Sequence, residues 1–499
     1  MKNIKIKDYF KETKILNNHY IAGITDKSNE VKNNYVFVAI KGSRNNGFDY
    51  INDAIKNGAK TIVSEDERIL NLNINKINFI YCIDAKLELA NLLNKKYSHQ
   101  CEKIKIIGVT GTNAKTSICS LVYKYLRYLG INTMYIGTNG VYLDDIIYKT
   151  KNTTLDIVNF YKCLNYAVDN NYKYIVMEVS SQGLKECRVK YLDFDIGLIS
   201  NITIDHLDYH KTFDDYFYTK VNFLNCCKKV IINYSCEKYL DIIRILNHSE
   251  IYTYGIGESK YFVQPDYYAT ELSLSLVESN FILHTKKDHY KYYLNTTLLG
   301  EFNVSNIVAM IAIIDNLEEG KYFKNKIFSF LKQKIDISGR FEIIKSIKGN
   351  YIIDFAHTPD GIFKVLSFLR SVCAGKLIVV LGMGGNRDVS KRPIVGEIVS
   401  KFADYFIVTS DNPRDEDNDL IICDILKGIN CEYNNNVIII NDRYEAIEKG
   451  YLIANEEDIV AILGKGNEEE QVIKGVSYSF NDKKVLKKII SKYQGEYYE

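Results

Sequence analysis

The sequence has no tryptophan, only four prolines and almost no imbalance of charge, with 64 Lys+Arg against 62 Asp+Glu over 499 residues. The balance removes any electrostatic case for a nucleic-acid partner, which needs a basic face. No apolar run reaches the ~18 residues of a membrane span, and residues 1–14 are charged throughout, unlike a secretory signal. The eleven cysteines are odd in number and scattered, and no pair has metal-ligand spacing. Adjacent Cys226 and Cys227 are expected to pack as small apolar residues. No repeat or low-complexity linker interrupts the chain. These absences describe a reduced, soluble, cytoplasmic protein, expected to be a monomer with no membrane or nucleic-acid partner. The forty tyrosines, with many Ile, Asn and Lys, match AT-rich codons and carry no functional argument.

What is present starts at residues 104–117, Ile-Lys-Ile-Ile-Gly-Val-Thr-Gly-Thr-Asn-Ala-Lys-Thr-Ser. An apolar run meets a glycine turn, and a lysine with two hydroxyls then opens a helical pattern. Such a turn aims backbone N–H groups and a helix N-terminus at one point, which suits a polyphosphate. Lys115 can reach terminal phosphates, and Thr116 or Ser117 can hold magnesium. The ordinary P-loop pattern fails, because Val109 and Ala114 stand where glycines are usual.

The length suggests about three domains. In residues 1–98, short strands such as 35–40 and 61–64 alternate with helical stretches. Residues 99–336 carry the phosphate turn and repeated strand–helix units. Runs 174–179 and 196–200 there read as strands buried on both faces. An antiparallel meander is expected over 267–297 and a helix over 303–315. From 337 to 499 the pattern restarts, with strands at 351–354, 377–381, 405–408 and 459–463 alternating with helices. The fold class is therefore α/β: a central P-loop mononucleotide-binding domain and a C-terminal Rossmann-like domain follow an N-terminal domain. Ligands in such sheets bind beyond the strand C-terminal ends, where the polar motifs lie.

Glu178 ends a buried strand, where a carboxylate must be paired or hold a cation. Residues 200–210 follow another strand end, and their two histidines and two aspartates suit either a metal or a polar loop. Lys220 lies beside the apolar stripe Phe213, Phe217, Val221 and Leu224. Two readings stay open for it: a head that snorkels to water, or a lysine whose charge has been removed. A carbamate formed with carbon dioxide would be an anionic oxygen ligand suited to magnesium.

Taken in order, the motifs resemble the Mur ligase family, in its branch that adds the third residue of the peptidoglycan stem. The resemblance covers nearly the whole chain. It is carried by residues 111–117, Met-Glu-Val-Ser-Ser at 177–181, Asp-His-Leu-Asp-Tyr-His at 205–210 and Gly-Glu-Phe-Asn at 300–303. It continues through Gly339-Arg340, Asp-Phe-Ala-His-Thr-Pro-Asp at 354–360, Gly-Gly-Asn-Arg-Asp at 384–388 and Lys-Arg-Pro at 391–393. Asp-Asn-Pro-Arg at 411–414 and Gly-Lys-Gly-Asn-Glu at 464–468 complete it.

The resemblance implies an ATP- and magnesium-dependent amide ligase of peptidoglycan synthesis, joining meso-diaminopimelate to UDP-MurNAc-L-Ala-D-Glu through an acyl phosphate. Gly111, Thr112, Asn113, Ala114, Lys115, Thr116 and Ser117 would cradle ATP, with Asn303 and Arg340 contacting it from the seam. Thr116 would hold magnesium with ATP, and Glu178, His206 and carbamylated Lys220 would surround a second magnesium; these last three and Lys115 form the implied catalytic set. Asp354 and His357 would lie near the phosphate and hinge region. Lys27, Ser28, Thr153, Thr154, Ser180, Glu186 and Arg188 would face the nucleotide-sugar peptide. Arg387, Asp411, Asn412, Pro413, Arg414, Gly464 and Glu468 would select the amino acid. Diaminopimelate has a distal carboxylate that an arginine grips with two parallel hydrogen bonds, and a distal ammonium that Glu468 can pair.

Departures from the family pattern cluster on the nucleotide-sugar side: Asp26-Lys27-Ser28, Phe48, Leu155, Gln182 and Glu186. Ala114 and Asn467 depart as well. Two further readings therefore stand beside the first: a paralogue joining an amino acid to another carboxylate, and a nucleotide-binding scaffold without catalysis.

Overall fold

The computed structural model describes residues 4–494 except 12, 14, 43, 44, 143–145, 151, 249, 262, 263, 287–290, 319 and 431–435. In the first section, strands Gly23–Thr25, Tyr35–Ala39, Ala59–Ser64 and Asn78–Tyr81 form a parallel sheet in sequence order. Helix Ala85–Cys101 starts where Asp84 caps the Leu87 N–H, and buries Leu89, Leu92 and Leu93 against Ile24, Val36 and Val38. The same core takes in Ile106 and Met177 of the next sheet, so the first two sections share apolar contact.

The middle sheet has eleven strands. At its centre Lys105–Thr110 pairs in parallel with Phe194–Ile199 and Tyr174–Glu178. Alternate residues divide between two cores, as the pleat requires: Ile106 joins one, while Ile107 and Val109 pack in the other with helices Lys115–Tyr128 and Glu301–Asp315. The expected meander is present as antiparallel strands Tyr267–Leu274, Ser279–Thr285 and Lys291–Thr296, joined to the sheet through Ile251–Ile256.

The third section has strand order Glu342–Ser346, Gly349–Asp354, Ile459–Leu463, Leu377–Leu381, Tyr405–Val408, Val437–Ile439. Only the first pair is antiparallel. Strands Leu377–Leu381 and Ile459–Leu463 are buried along their whole length, which explains their unbroken apolar runs. The edge strands Glu342–Ser346 and Val437–Ile439, and the hairpin Glu470–Ile473 with Val476–Ser479, were not expected from the sequence.

Two expectations change here. Cys226 is exposed and only Cys227 is buried, because helix Phe213–Leu224 has ended and strand Cys227–Asn233 begins at the second cysteine. Lys220 does not snorkel; it is 1% exposed. Among the described residues, no helix is long and apolar enough to cross a membrane.

Candidate active site

The central strand ends at Thr110, and the backbone then passes through positive φ at Gly111 (144°) and Ala114 (72°) before helix Lys115–Tyr128 begins. Ala114 is the helix N-cap and makes no side-chain cap bond, so the first-turn N–H groups stay available to an anion. Lys115 Nζ donates to the carbonyls of Gly111 (2.8 Å) and Thr112 (3.0 Å). Lys220 Nζ reaches the Gly111 carbonyl too, at 2.9 Å, and lies 4.8 Å above the Tyr216 ring. Burial pushes the Lys115 ammonium below its usual range against the pull of Glu178 and Asp205. For Lys220, burial lowers it much further, and the Lys115 charge adds to the effect.

Glu178 closes the next strand, fully buried, and its carboxylate is satisfied from several sides. Tyr135 OH (2.6 Å) and the Thr138 N–H (2.8 Å) donate to Oε1, while Thr116 Oγ1 (3.0 Å) and Thr138 Oγ1 (3.2 Å) donate to Oε2. Asp205 and His206 follow the strand on the other side. His206 has φ 55°, and its Nε2 lies 3.4 Å from Asp205 Oδ2. Desolvation at the cleft wall brings the imidazole, still 47% exposed, down to about 4 against the pull of Asp205, so it is neutral at physiological pH. Burial pushes Asp205 up, but His206, Lys391 and His357 outweigh it and hold the carboxyl well below its usual range. Its ion pair with Lys391, buried on both sides, joins the middle and third sections.

Other contacts cross the same seam. Arg340 Nη2 donates to Thr116 Oγ1 at 3.0 Å, with its guanidinium 4.5 Å from the Phe355 ring centre. Asn113 donates to Asp360 Oδ2 (3.0 Å) and accepts from Thr358 Oγ1 (3.1 Å). Asp354 accepts the N–H groups of Phe341 and Ala356, each at 2.7 Å, and so braces the turn that carries Arg340.

The third section contributes the far wall. Arg414, at φ 53°, donates to the Gly385 carbonyl at 2.6 Å. Burial and the nearby Arg387 charge both lower its guanidinium, which is the setting for an anionic ligand. Arg387 faces Asp208 at 3.6 Å. Glu468 Oε2 accepts from Asn412 (2.7 Å) and from the fully buried Lys465 (2.8 Å). Arg387, Asn412, Arg414 and Glu468 line one cleft of about 270 Å³ with Lys115, Thr116, Glu178, Asp205, His206 and Arg340.

Of the sequence-predicted residues, Thr112, Asn113, Ala114, Lys115, Thr116, Thr153, Glu178, His206, Arg340, Arg387, Asp411, Asn412, Arg414, Gly464 and Glu468 line this cleft, as does His357. Gly111, Ser117, Lys220 and Pro413 stand behind or between the lining residues. Asn303 does not line it; buried in its helix, it donates to the Leu299 carbonyl at 2.9 Å. The residues expected to face the nucleotide sugar, apart from Thr153, lie outside the cleft. Thr154 Oγ1 bonds Ser180 Oγ and the Glu178 carbonyl, both at 2.9 Å, and Arg188 donates to the Thr154 carbonyl at 3.0 Å. Glu186 pairs with Lys86 (2.5 Å) of the first section and accepts from Tyr209 OH (2.9 Å). Lys27 pairs with Glu30, and Ser28 opens a short 3-10 turn.

The sequence reading missed Thr138 and gave no role to Asp388, at the end of the 384–388 motif, or to Lys391, in the Lys-Arg-Pro motif, all of which line the cleft. Among the described residues, no three His, Cys, Asp or Glu side chains gather as a metal cage. Glu178 and neutral His206 offer two metal-ligand types, and the remaining oxygens would have to come from a hydroxyl, a phosphate or a modified side chain.

The comparisons with known proteins agree along the whole chain. Residues 20–97 match the Mur ligase family catalytic domain, 109–314 the Mur ligase middle domain, and 339–466 the Mur ligase glutamate ligase domain. The chain belongs to the Mur ligase family. Within it, the chain is 38% identical to the UDP-N-acetylmuramoyl-L-alanyl-D-glutamate--2,6-diaminopimelate ligase of Aquifex aeolicus, over 94% of each chain. It is 36% identical to the ligase of the same name from Clostridium tetani, over 98% of this chain and 99% of that one. A solved structure of a ligase of that name superposes with a TM-score of 0.68 at 28% identity, covering 98% and 99% of the two chains. MurF of Thermotoga maritima, solved with ADP, shares the fold at a TM-score of 0.64 and 17% identity, covering 94% and 98%.

Proposed function

We propose that this protein is the ATP-dependent ligase that joins meso-diaminopimelate to UDP-MurNAc-L-Ala-D-Glu, in the cytoplasm, as a monomer built of domains 1–98, 99–336 and 337–499. The observation that carries this reading is that a single cleft runs from the phosphate turn at Lys115 to the Arg387, Arg414 and Glu468 wall. An energy source and an amine can therefore meet at one carboxylate.

In the first step the γ-carboxylate of D-glutamate attacks the terminal phosphorus of ATP, and ADP leaves. In the second, the diaminopimelate amine attacks the acyl carbonyl, phosphate departs, and the nitrogen loses a proton. The protein forms no bond to substrate. It aligns the reactants and neutralises charge. Lys115 would turn from the Gly111 and Thr112 carbonyls to the phosphates, and Arg340 would meet them from the seam. Arg414 and Arg387 would take the distal carboxylate of diaminopimelate, leaving Glu468 Oε1 for its ammonium. The Thr154, Ser180 and Arg188 group would hold the peptide end of the nucleotide sugar.

The donor set fits magnesium through Thr116, Glu178, His206 and a carbamate on Lys220, which would neutralise phosphoryl oxygens when the ion is bound. Carbamylation is supported by the burial of Lys220 beside Lys115, which lowers its ammonium well below the usual range: in the neutral amine the Nζ lone pair attacks carbon dioxide, the N–C bond forms, and one proton is released.

Phosphate release by the purified protein is the test. Release that requires ATP, the nucleotide-sugar dipeptide and diaminopimelate together supports the reading. Release with diaminopimelate and a different carboxylate favours the paralogue, and no release with any pair favours the scaffold.

A further inference from the structure

Arg443 and Asp482 form the most deeply buried ion pair outside the cleft among the described residues, with both side chains at 0% exposure. The pair is bidentate: Nε and Nη2 each lie 2.8 Å from one carboxylate oxygen. The guanidinium has two further bonds. Nη1 donates to the Ser410 carbonyl at 3.2 Å and Nη2 to the Leu463 carbonyl at 3.0 Å. Ser410 follows strand Tyr405–Val408, and Leu463 ends strand Ile459–Leu463. These strands are not neighbours, since Leu377–Leu381 lies between them. Arg443 thus ties two strand ends that no ladder joins directly, while further out the Arg414 N–H meets the Val472 carbonyl at 2.9 Å and Gln471 Nε2 the Asp411 carbonyl at 2.8 Å.

The residues that follow those ends are Asp411-Asn412 and Gly464-Lys465, all at or beside the amino-acid wall. The start of helix Asp482–Gln494 reaches that wall twice more. Asn481 donates to the Glu468 carbonyl at 3.0 Å, and the Phe480 N–H to the Glu469 carbonyl at 2.9 Å. Lys483 pairs with Glu342, whose other oxygen accepts the Gly339 N–H at 2.6 Å beside Arg340. A fully buried ion pair contributes little net stability but fixes geometry where its fork is satisfied.

We propose that Arg443, held by Asp482, is a positioning residue for the amino-acid subsite: it sets the distance between the 411–414 and 464–468 loops and so between Arg414 and Glu468. This inference rests on the functional reading above. A lysine at position 443 keeps the charge but cannot direct planar bonds to a carboxylate and two carbonyls at once.

The test compares Arg443→Lys and Asp482→Asn with the wild type in steady-state kinetics and in amide hydrogen exchange. Expected for Arg443→Lys is a KM for diaminopimelate raised about 10- to 100-fold, as a small misplacement produces, with KM for ATP and for the nucleotide sugar within about two-fold. Asp482→Asn should shift the same constant less. Exchange should accelerate at 411–414 and 464–468 and not at 111–117. An unchanged amino-acid KM, an equal rise in all three constants, or faster exchange at 111–117 as well would overturn the proposal. Should the wild type itself fail to turn over diaminopimelate, the functional reading fails. The exchange pattern, which needs no substrate, then still decides whether the pair positions these loops.

Discussion

Lys115 and Lys220 share one acceptor: their Nζ atoms lie 2.8 and 2.9 Å from the carbonyl oxygen of Gly111. Two ammonium groups on one neutral oxygen repel strongly at low dielectric. The arrangement is relieved when Lys220 loses its proton, becomes a carbamate, or when a polyphosphate brings negative charge to Lys115.

Lys220→Ala is expected to reduce turnover to less than about 1% of wild type, as loss of a transition-state charge contact does, with partial recovery in added acetate. Full activity of the variant in phosphate-release assays would remove the carbamate. Stability should respond as well. The folded protein holds Lys220 below its unfolded value of 10.5, so it binds fewer protons than the unfolded chain, and this destabilisation fades as pH rises towards that value. In buffer free of carbon dioxide, Lys220→Met should melt higher than wild type at pH 7, and the gap should narrow at higher pH.

Ala114 and Gly111 should respond in opposite directions to exchange of their side chains. Ala114 occupies φ 72°, a conformation costing a β-carbon about 1 kcal/mol, so Ala114→Gly should stabilise by about that amount in denaturant titrations while keeping nucleotide affinity. A β-carbon on Gly111 would sit 1.9 Å from Ser200 Oγ. Gly111→Ala should therefore displace the turn and abolish ATP binding in calorimetry.

The acid limb of stability should separate into two windows. His206 falls from 6.5 to about 4 on folding, so stability declines as pH drops from 6.5 to 4, and His206→Asn should flatten that slope. Asp205 behaves in the other sense: its lowered carboxyl stabilises above the unfolded value of 3.8 and fails only at lower pH. Thermal melts of wild type and His206→Asn from about pH 2 to 7 check this.

Arg414→Ala should raise KM for diaminopimelate by about 10- to 100-fold, the worth of a charged hydrogen bond of 1.5–3 kcal/mol. It should raise KM for lysine much less, since lysine has no distal carboxylate. Equal losses for both amino acids in competition assays would separate Arg414 from selection.

Much of this was legible in the sequence because it is local. Runs such as Leu377–Leu381 and Ile459–Leu463 are apolar throughout, and a strand buried on both faces cannot be otherwise. Ala114 stands out where glycine is usual, and the turn holds it at φ 72°. Asp205 and Lys391 could not be paired in advance: they are 186 residues apart, and neither has a periodic context that names a partner. Thr138 carries no motif, and its role comes only from the strand end that brings it to Glu178. Strand Glu342–Ser346, half-buried except at the exposed Lys345, lacks the apolar run that betrays a central strand.

Asn113 spends both ends of its amide on Thr358 and Asp360, while the Asp205–Lys391 pair fastens the same seam beside it. A crevice fastened in this way cannot admit three bulky reactants in sequence and stay shut. Each cycle must unfasten and refasten it, so turnover should slow in viscous solvent, and the tempo of the reaction would belong to this hinge rather than to bond making.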